Sequence, residues 1–349
     1  NGAMQVAQRS TSATINGAGY YVIDRMRYSE SSLGTAQFTL EQSTDAPVGF
    51  GYSLKITCTT AEGVVDAGDA CRPIENRIEG QDLQQLKWGT AAAKSLTLSF
   101  WVKSSVTGTY NVAFITVQTG TNRFITSTYT INSANTWEYK TITISGDTSY
   151  GFANDNTMGL DWFFCVGSGS DFTSTDSTSW MNYDSTGLHY GQSVNLQNTL
   201  NSTWQITGIK LEVGSVATEF DHRSYGEELA LCQRYFERMT NETTTQGTYH
   251  SRKLFGMCYA ESTSEGRGAL RYAIKRSEPT ITYNSLSALA FYHTGSTLAL
   301  SALSFDNASL DVARINGTSS GTPLIDGSAC HFSSISSSIE AYVDIDAEL

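Results

Sequence analysis

Proline is scarce, with four in 349 residues, and charged side chains make up 16% of the chain, against roughly 25% in an average soluble protein. Ser, Thr, Asn and Gly fill the difference, so the surface they build is polar but weakly ionic. Basic residues are outnumbered, 22 against 34 acidic, and no run of Lys and Arg stands out. A net charge of -12 repels phosphate backbones and anionic lipid, which argues against nucleic acid as a partner. No apolar run approaches the roughly 20 residues a membrane-crossing helix needs, and there is no signal-peptide pattern, so no membrane insertion is expected. The six cysteines (Cys58, Cys71, Cys165, Cys232, Cys258, Cys330) contain no C-x-x-C pair, and zinc-type spacing is therefore missing. Cys58 and Cys71 could bridge if the chain between them folds back. Cys58, however, continues the inward row of Tyr52, Leu54 and Ile56, which favours buried free thiols and synthesis in a reducing cytoplasm. The five histidines (His189, His222, His250, His293, His331) are dispersed, and none stands in a triad or elbow motif.

What the sequence does have is period-two alternation. In Leu96 to Lys103, Leu96, Leu98, Phe100 and Val102 share one face while Thr97, Ser99, Trp101 and Lys103 share the other, the pattern of a half-buried strand. Ser104 to Thr109 reads as a turn, and Tyr110, Val112 and Phe114 resume the alternation, so the pair is expected to form an antiparallel hairpin. Trp137 and Tyr139 against Ile142 and Ile144 suggest a β-bulge, and Gly208 marks another. Further strands are expected around Tyr20 to Arg27, Gly51 to Thr59, Phe124 to Ile131, Trp162 to Val166 and Trp204 to Val213.

The length suggests two domains. Residues 1–222 read as a jelly-roll β-sandwich, and residues 223–240 as a short linking α-helix capped by Ser224 with Leu229, Cys232, Phe236 and Met239 on one stripe. Residues 241–349 read as a second, smaller β-sandwich. It has strands such as Leu298 to Phe305 and Ala341 to Leu349, and turn signals at Asn316-Gly317 and Asp326-Gly327. The fold class is mainly β.

Sugar recognition needs aromatic plates beside amides or carboxylates. The loop Ser179 to Tyr190 offers Trp180, Tyr183 and Tyr190 beside Asn182, Asp184 and His189, and these six are the candidate glycan-binding residues. A structural reading, in which Trp180 and Tyr190 pin a long loop, stands next to it. Phe291, Tyr292 and His293 lie near an expected hairpin tip at Thr294-Gly295-Ser296 and could face a receptor. Glu75, Glu79 and Asp82 could be nominated for polysaccharide hydrolysis, but a solvated loop is the preferred reading. Asp344, Asp346 and Glu348 read as an exposed strand face and Ala153 to Thr157 as an Asx turn. No catalytic residue and no metal site is assigned.

Several segments resemble tail-fibre and receptor-binding proteins of tailed bacteriophages, of the marine and cyanobacterial phage type: N-G-A-M-Q-V-A-Q-R from Asn1, I-E-G-Q-D-L-Q-Q-L-K-W-G-T from Ile78, L-T-L-S-F-W-V-K from Leu96, W-Q-I-T-G-I-K-L-E-V-G from Trp204 and H-R-S-Y-G-E-E-L-A-L-C-Q-R-Y-F from His222. The resemblance implies a non-catalytic adhesin of the virion tail, assembled as a homotrimer beside other tail proteins, that binds host polysaccharide or lipopolysaccharide. The start at Asn1 fits one part of a longer polypeptide. A structural spacer or capsid decoration protein and a polysaccharide depolymerase are the alternatives. The first domain also resembles jelly-roll carbohydrate-binding modules, many of which hold a structural calcium ion. This chain has Gln5, Thr207 and Gly208 where those modules carry acids, which argues against calcium there, and no cofactor is expected.

Overall fold

A strand with one apolar face must be covered by a second layer, and in the first unit two antiparallel sheets cover each other. The computed structural model describes residues 1–117, 121–241, 253–321, 323–335 and 340–349. Its two compact units are Asn1–Glu228 with Leu349, and Leu229–Glu348. In the first unit one sheet runs in the order Ser12–Thr14, Gln37–Ser43, Ser53–Thr60, Thr203–Val213, Leu96–Ser104, Glu138–Ile144. The facing sheet runs Met181–Asn182, Arg123–Ile131, Gly108–Thr116, Met158–Cys165, Ala70–Glu79, Arg27–Ser31, Gly19–Tyr20, with Gly167–Ser168 also paired to Ala70–Glu79. Phe100, Phe164 and Trp204 are fully buried between the sheets, with ring centroids 4.9 Å apart for the first pair and 5.6 Å for the second. The Trp204 indole donates to the Tyr129 hydroxyl at 3.0 Å, so the largest core side chain keeps its polar atom satisfied. This is the jelly-roll sandwich the alternation predicts.

Four local expectations are corrected. Leu96–Ser104 and Gly108–Thr116 are not a hairpin, because they belong to opposite sheets. Each has a full apolar face, and the alternation is the same whether two strands pair edge to edge or face each other across a core. Leu96–Ser104 pairs instead with Glu138–Ile144 in unbroken register, so no bulge exists there. Trp137 precedes that strand, and an odd spacing between Tyr139 and Ile142 is what opposite faces require. Around Tyr20 to Arg27 the chain forms two short strands, Gly19–Tyr20 and Arg27–Ser31, rather than one. Glu75 and Glu79 are not in a solvated loop: they are buried in the strand Ala70–Glu79, where Glu75 pairs with Arg27 at 2.7 Å and Arg77 at 2.5 Å. The bulge at Gly208 is present, as a register shift between Thr207 and Lys210. The Asx turn is present too, with Asp155 Oδ1 accepting from the Thr157 backbone N–H at 3.0 Å. All six cysteines are free and buried.

The linking helix is shorter than its periodicity suggests. It spans Tyr225–Gln233, and its N-terminus carries the capping box of Ser224 and Glu227, with Glu227 Oε2 accepting from the Ser224 N–H at 3.0 Å. Phe236–Thr240 is a strand instead, paired with Tyr342–Asp346. Nine residues of helix are marginal in isolation, and the ladder to Tyr342–Asp346 decides the rest. It is reinforced by a two-pronged Arg238 to Asp344 pair at 2.6 and 2.7 Å, and Asp344, Asp346 and Glu348 are half-buried rather than exposed. Met239 packs on the core of its own unit.

In the second unit that three-stranded sheet, completed by Thr280–Tyr283, accompanies a closed barrel rather than a second sandwich. The barrel order is Leu254–Ala260, Glu265–Arg271, Val312–Ser319, Ser296–Asp306, Leu289–His293, Ala329–Ser334, closing onto Leu254–Ala260. Closure leaves no strand edge. Gly266 and Gly317 are cross-strand partners, and a Cβ on either would stand 2.6 Å from the fully buried Phe291 ring. Asn316-Gly317 is therefore strand interior, not a turn, whereas Asp326-Gly327 is a turn. Thr294 and Gly295, with φ of 47° and 82°, form the expected hairpin tip.

Candidate functional site

The sequence-predicted loop residues do not form one site. Trp180 is held in packing: its indole donates to the Ser145 carbonyl at 2.7 Å and meets Trp88 edge-on at 5.1 Å. His189 is fully buried, where Arg72 Nε donates to its Nε2 at 3.0 Å, leaving Nδ1 as the donor toward Ser168 Oγ at 2.8 Å. Burial, and then the Arg72 charge, hold it well below the ordinary histidine range, so the ring is neutral. Asn182, Tyr183 and Asp184 line an open cleft with Arg123, and Asp184 also accepts from Thr186 N–H at 2.9 Å. Tyr190 lines a separate depression beside Thr128 and Thr143. In the second unit Phe291 is in the core, and His293 is buried with its Nε2 2.5 Å from Ser328 Oγ. Of that trio Tyr292 alone is partly exposed. His250 lies outside the described residues.

A different place gathers aromatic surface. On the outer face of the Leu96–Ser104 sheet, Trp101 and Tyr139 are cross-strand partners, their rings 5.4 Å apart and tilted by 52°. The strand Thr203–Val213 contributes the neighbouring backbone, and the Gly208 bulge permits it. Gly208 has φ +63°, and a Cβ there would stand 2.7 Å from the Phe50 ring. Phe50, Phe220 and His222 form a three-ring cluster with centroids 4.9 to 5.2 Å apart. Together with Ser99, Thr218 and Glu219 these rings line a groove of about 570 Å³.

The groove wall is fixed electrostatically. Lys210 Nζ donates to the Glu219 carbonyl at 2.7 Å and pairs with Asp221 at 2.8 Å, while Glu212 Oε1 accepts from the Thr218 N–H at 2.8 Å. The Asp221 hydrogen bond raises the Lys210 ammonium above its usual range. Glu212 is lowered, because the Thr218 hydrogen bonds and Lys210 outweigh its burial. Tyr139 is 45% exposed, so a planar ligand can reach its ring. One carboxylate, Glu219, lines the groove, whereas glycoside hydrolysis takes two facing each other roughly 5 to 9.5 Å apart. The arrangement suits stacking and hydrogen bonding. Sequence reading passed over it because its rings are distant along the chain, although the outward positions of Trp101 and Tyr139 are visible in the alternation.

The Met4 and Gln5 carbonyls accept from Gln42 Nε2 at 2.7 and 3.1 Å, so an amide engages them.

No protein-family model and no curated protein matches the chain. Among solved structures it is similar to the enzymatically active domain of tailspike protein 4 of bacteriophage CBA120, at 11% identity and TM-score 0.31, over 61% of this chain and 21% of that one. It thus spans about a fifth of that chain's length. It is also similar to the family 11 carbohydrate-binding module of a Clostridium thermocellum cellulosomal cellulase, at 10% identity and TM-score 0.26, covering 60% of this chain and 91% of that one. The CBM22-2 xylan-binding domain of Paenibacillus barcinonensis Xyn10C is similar at 15% identity and TM-score 0.26, covering 52% and 88%.

Proposed function

We propose that this chain is a non-catalytic glycan-binding protein of a phage tail, which holds host cell-surface polysaccharide or lipopolysaccharide against the Trp101–Tyr139 groove. The observation that carries the reading is the tilted aromatic pair that lines a groove together with Ser99, Thr218 and Glu219. Apolar C–H faces of a pyranose lie on such plates, and hydroxyls meet the polar wall. The virion setting is supported by the phage-like segments quoted from the sequence. Labelled protein stains host cells in this account, periodate treatment of the cells abolishes the staining, and no reducing ends appear during incubation. Staining that survives periodate rejects the glycan, and release of reducing ends rejects the non-catalytic part. Homotrimeric assembly belongs to the same reading. Of the stripe Leu229, Cys232, Phe236 and Met239, Met239 packs against the core of its own unit. Light scattering should give three times 37.9 kDa, and a single-chain mass at micromolar concentration contradicts the trimer.

A further inference from the structure

Three carboxylates with no role in the groove meet elsewhere in the first unit. Glu62 follows the strand Ser53–Thr60, and Asp66 and Asp69 precede the strand Ala70–Glu79. One oxygen from each lies within 4.8 Å of the others. Glu62 is 6% exposed and Asp69 is 0% exposed, yet Glu62 Oε2 and Asp69 Oδ1 accept from no N–H or O–H donor, and the two carboxyls lie within hydrogen-bond reach of each other. Among the described residues no Lys or Arg pairs with any of the three. A buried ionised oxygen without a partner is costly, and such groups are normally paired or coordinate a metal.

The backbone around the cluster is built to keep these carboxylates close. Gly34, at φ +51°, backs the site, and a Cβ there would fall 1.8 Å from Glu62 Oε1. The second Asp69 oxygen accepts from the Asp66 N–H at 2.5 Å, so Asp69 is aimed by its own turn. Ser32 Oγ and Asp171 Oδ2 approach Gly68, each 3.8 Å from the place a Cβ would take. Burial, then the Asp69 charge, raises the Glu62 carboxyl; burial also raises Asp69, to which the Asp66 charge adds.

We propose that Glu62, Asp66 and Asp69 form a structural divalent-cation site of calcium type. Oxygens that share a calcium ion sit about 2.3 to 2.6 Å from it and so at most about 4.6 to 5.2 Å from each other, a range that includes the 4.8 Å limit on these three. The exposed Asp66 side leaves room for water to complete a shell of about six to eight oxygens. The site is separate from the Gln5 and Thr207 position and does not rest on the glycan reading.

Its place gives it a consequence. The Glu62 N–H donates to the Gln197 carbonyl at 2.8 Å, the Asp171 N–H to the Ala67 carbonyl at 2.9 Å, and the Gly169 N–H to the Asp69 carbonyl at 2.8 Å. Both ends of the long loop between Asp171 and Gln197 are thus tied to the cluster. An ion would lock the base of that loop.

The test uses the full chain stripped with EDTA and titrated with calcium chloride by calorimetry, with melting followed in parallel. One calcium per chain is expected, and the melting temperature should rise by about 5 to 10 °C at calcium a hundredfold above Kd. E62Q and D69N should lose both effects, and E62Q without calcium should melt no lower than the stripped wild type, because a like charge is gone. Should D69N fail to fold, D66N at the exposed ligand should weaken calcium at least tenfold. The proposal is overturned by the absence of heat and melting shift at about 10 mM calcium, above even weak extracellular sites of about 10⁻⁴ to 10⁻³ M. Calcium binding that persists in E62Q and D69N, or magnesium binding as tight as calcium, overturns it equally.

Discussion

Asp161 is half-buried beside Glu75, and burial first, then the Glu75 charge, push its carboxyl up from 3.8 to about 7. Between these values the folded chain holds a proton that the unfolded chain has lost, so Asp161 is harmless at low pH and becomes a penalty as pH rises through 7. D161N should therefore gain melting temperature relative to the wild type between pH 5 and 8, with little difference at pH 4. A pH-independent difference would contradict this. In the second unit Lys275 is buried with its Nζ 2.5 Å from the Gln233 carbonyl and 2.9 Å from Glu237 Oε2. K275M leaves the Glu237 carboxylate without its cation and should cost about 3 to 5 kcal/mol in urea denaturation, with K275M/E237L recovering much of it. Unchanged stability of the single variant would show that the pair contributes nothing. Neither environment is written in the neighbouring residues. Glu75 looks like a loop carboxylate until the strand Ala70–Glu79 brings it beside Arg27.

At the scale of elements, alternation was enough to find most strands and not enough to pair them. Leu98 and Phe100 require a buried face, as do Val112 and Phe114, but only long-range register decides whether these faces share a sheet or meet across the core. The helix after Ser224 started where its capping box said and stopped where pairing with Tyr342–Asp346 became available. The barrel carries a further device. Gly266 and Gly317 leave the space that the Phe291 ring fills, so G317A should overpack the barrel and cost about 1 to 3 kcal/mol. F291A should cost about 3 to 5 kcal/mol by opening a cavity. G317A stability equal to the wild type would show that the ring can move aside.

For the whole molecule, the mainly β class and the first sandwich were legible because composition and period-two patterning are properties of the entire chain. The groove was not legible, for a physical reason. Phe50, Trp101, Tyr139, Phe220 and His222 come together through cross-strand register and a bulge. Of the Trp180 to Tyr190 candidates, by contrast, Asn182, Tyr183 and Asp184 share one cleft while Trp180, His189 and Tyr190 are held elsewhere. Sequence neighbourhood draws attention to the loop, whereas the groove proposed for the glycan lies on the sheet face. Binding to an array of bacterial capsular polysaccharides and lipopolysaccharides, with W101A and Y183A run beside the wild type, separates the two most directly. The account predicts that W101A loses about 1 to 3 kcal/mol of affinity, a stacking-sized effect of roughly five- to 150-fold, while Y183A binds as the wild type does. Full binding by W101A, or loss confined to Y183A, would contradict it.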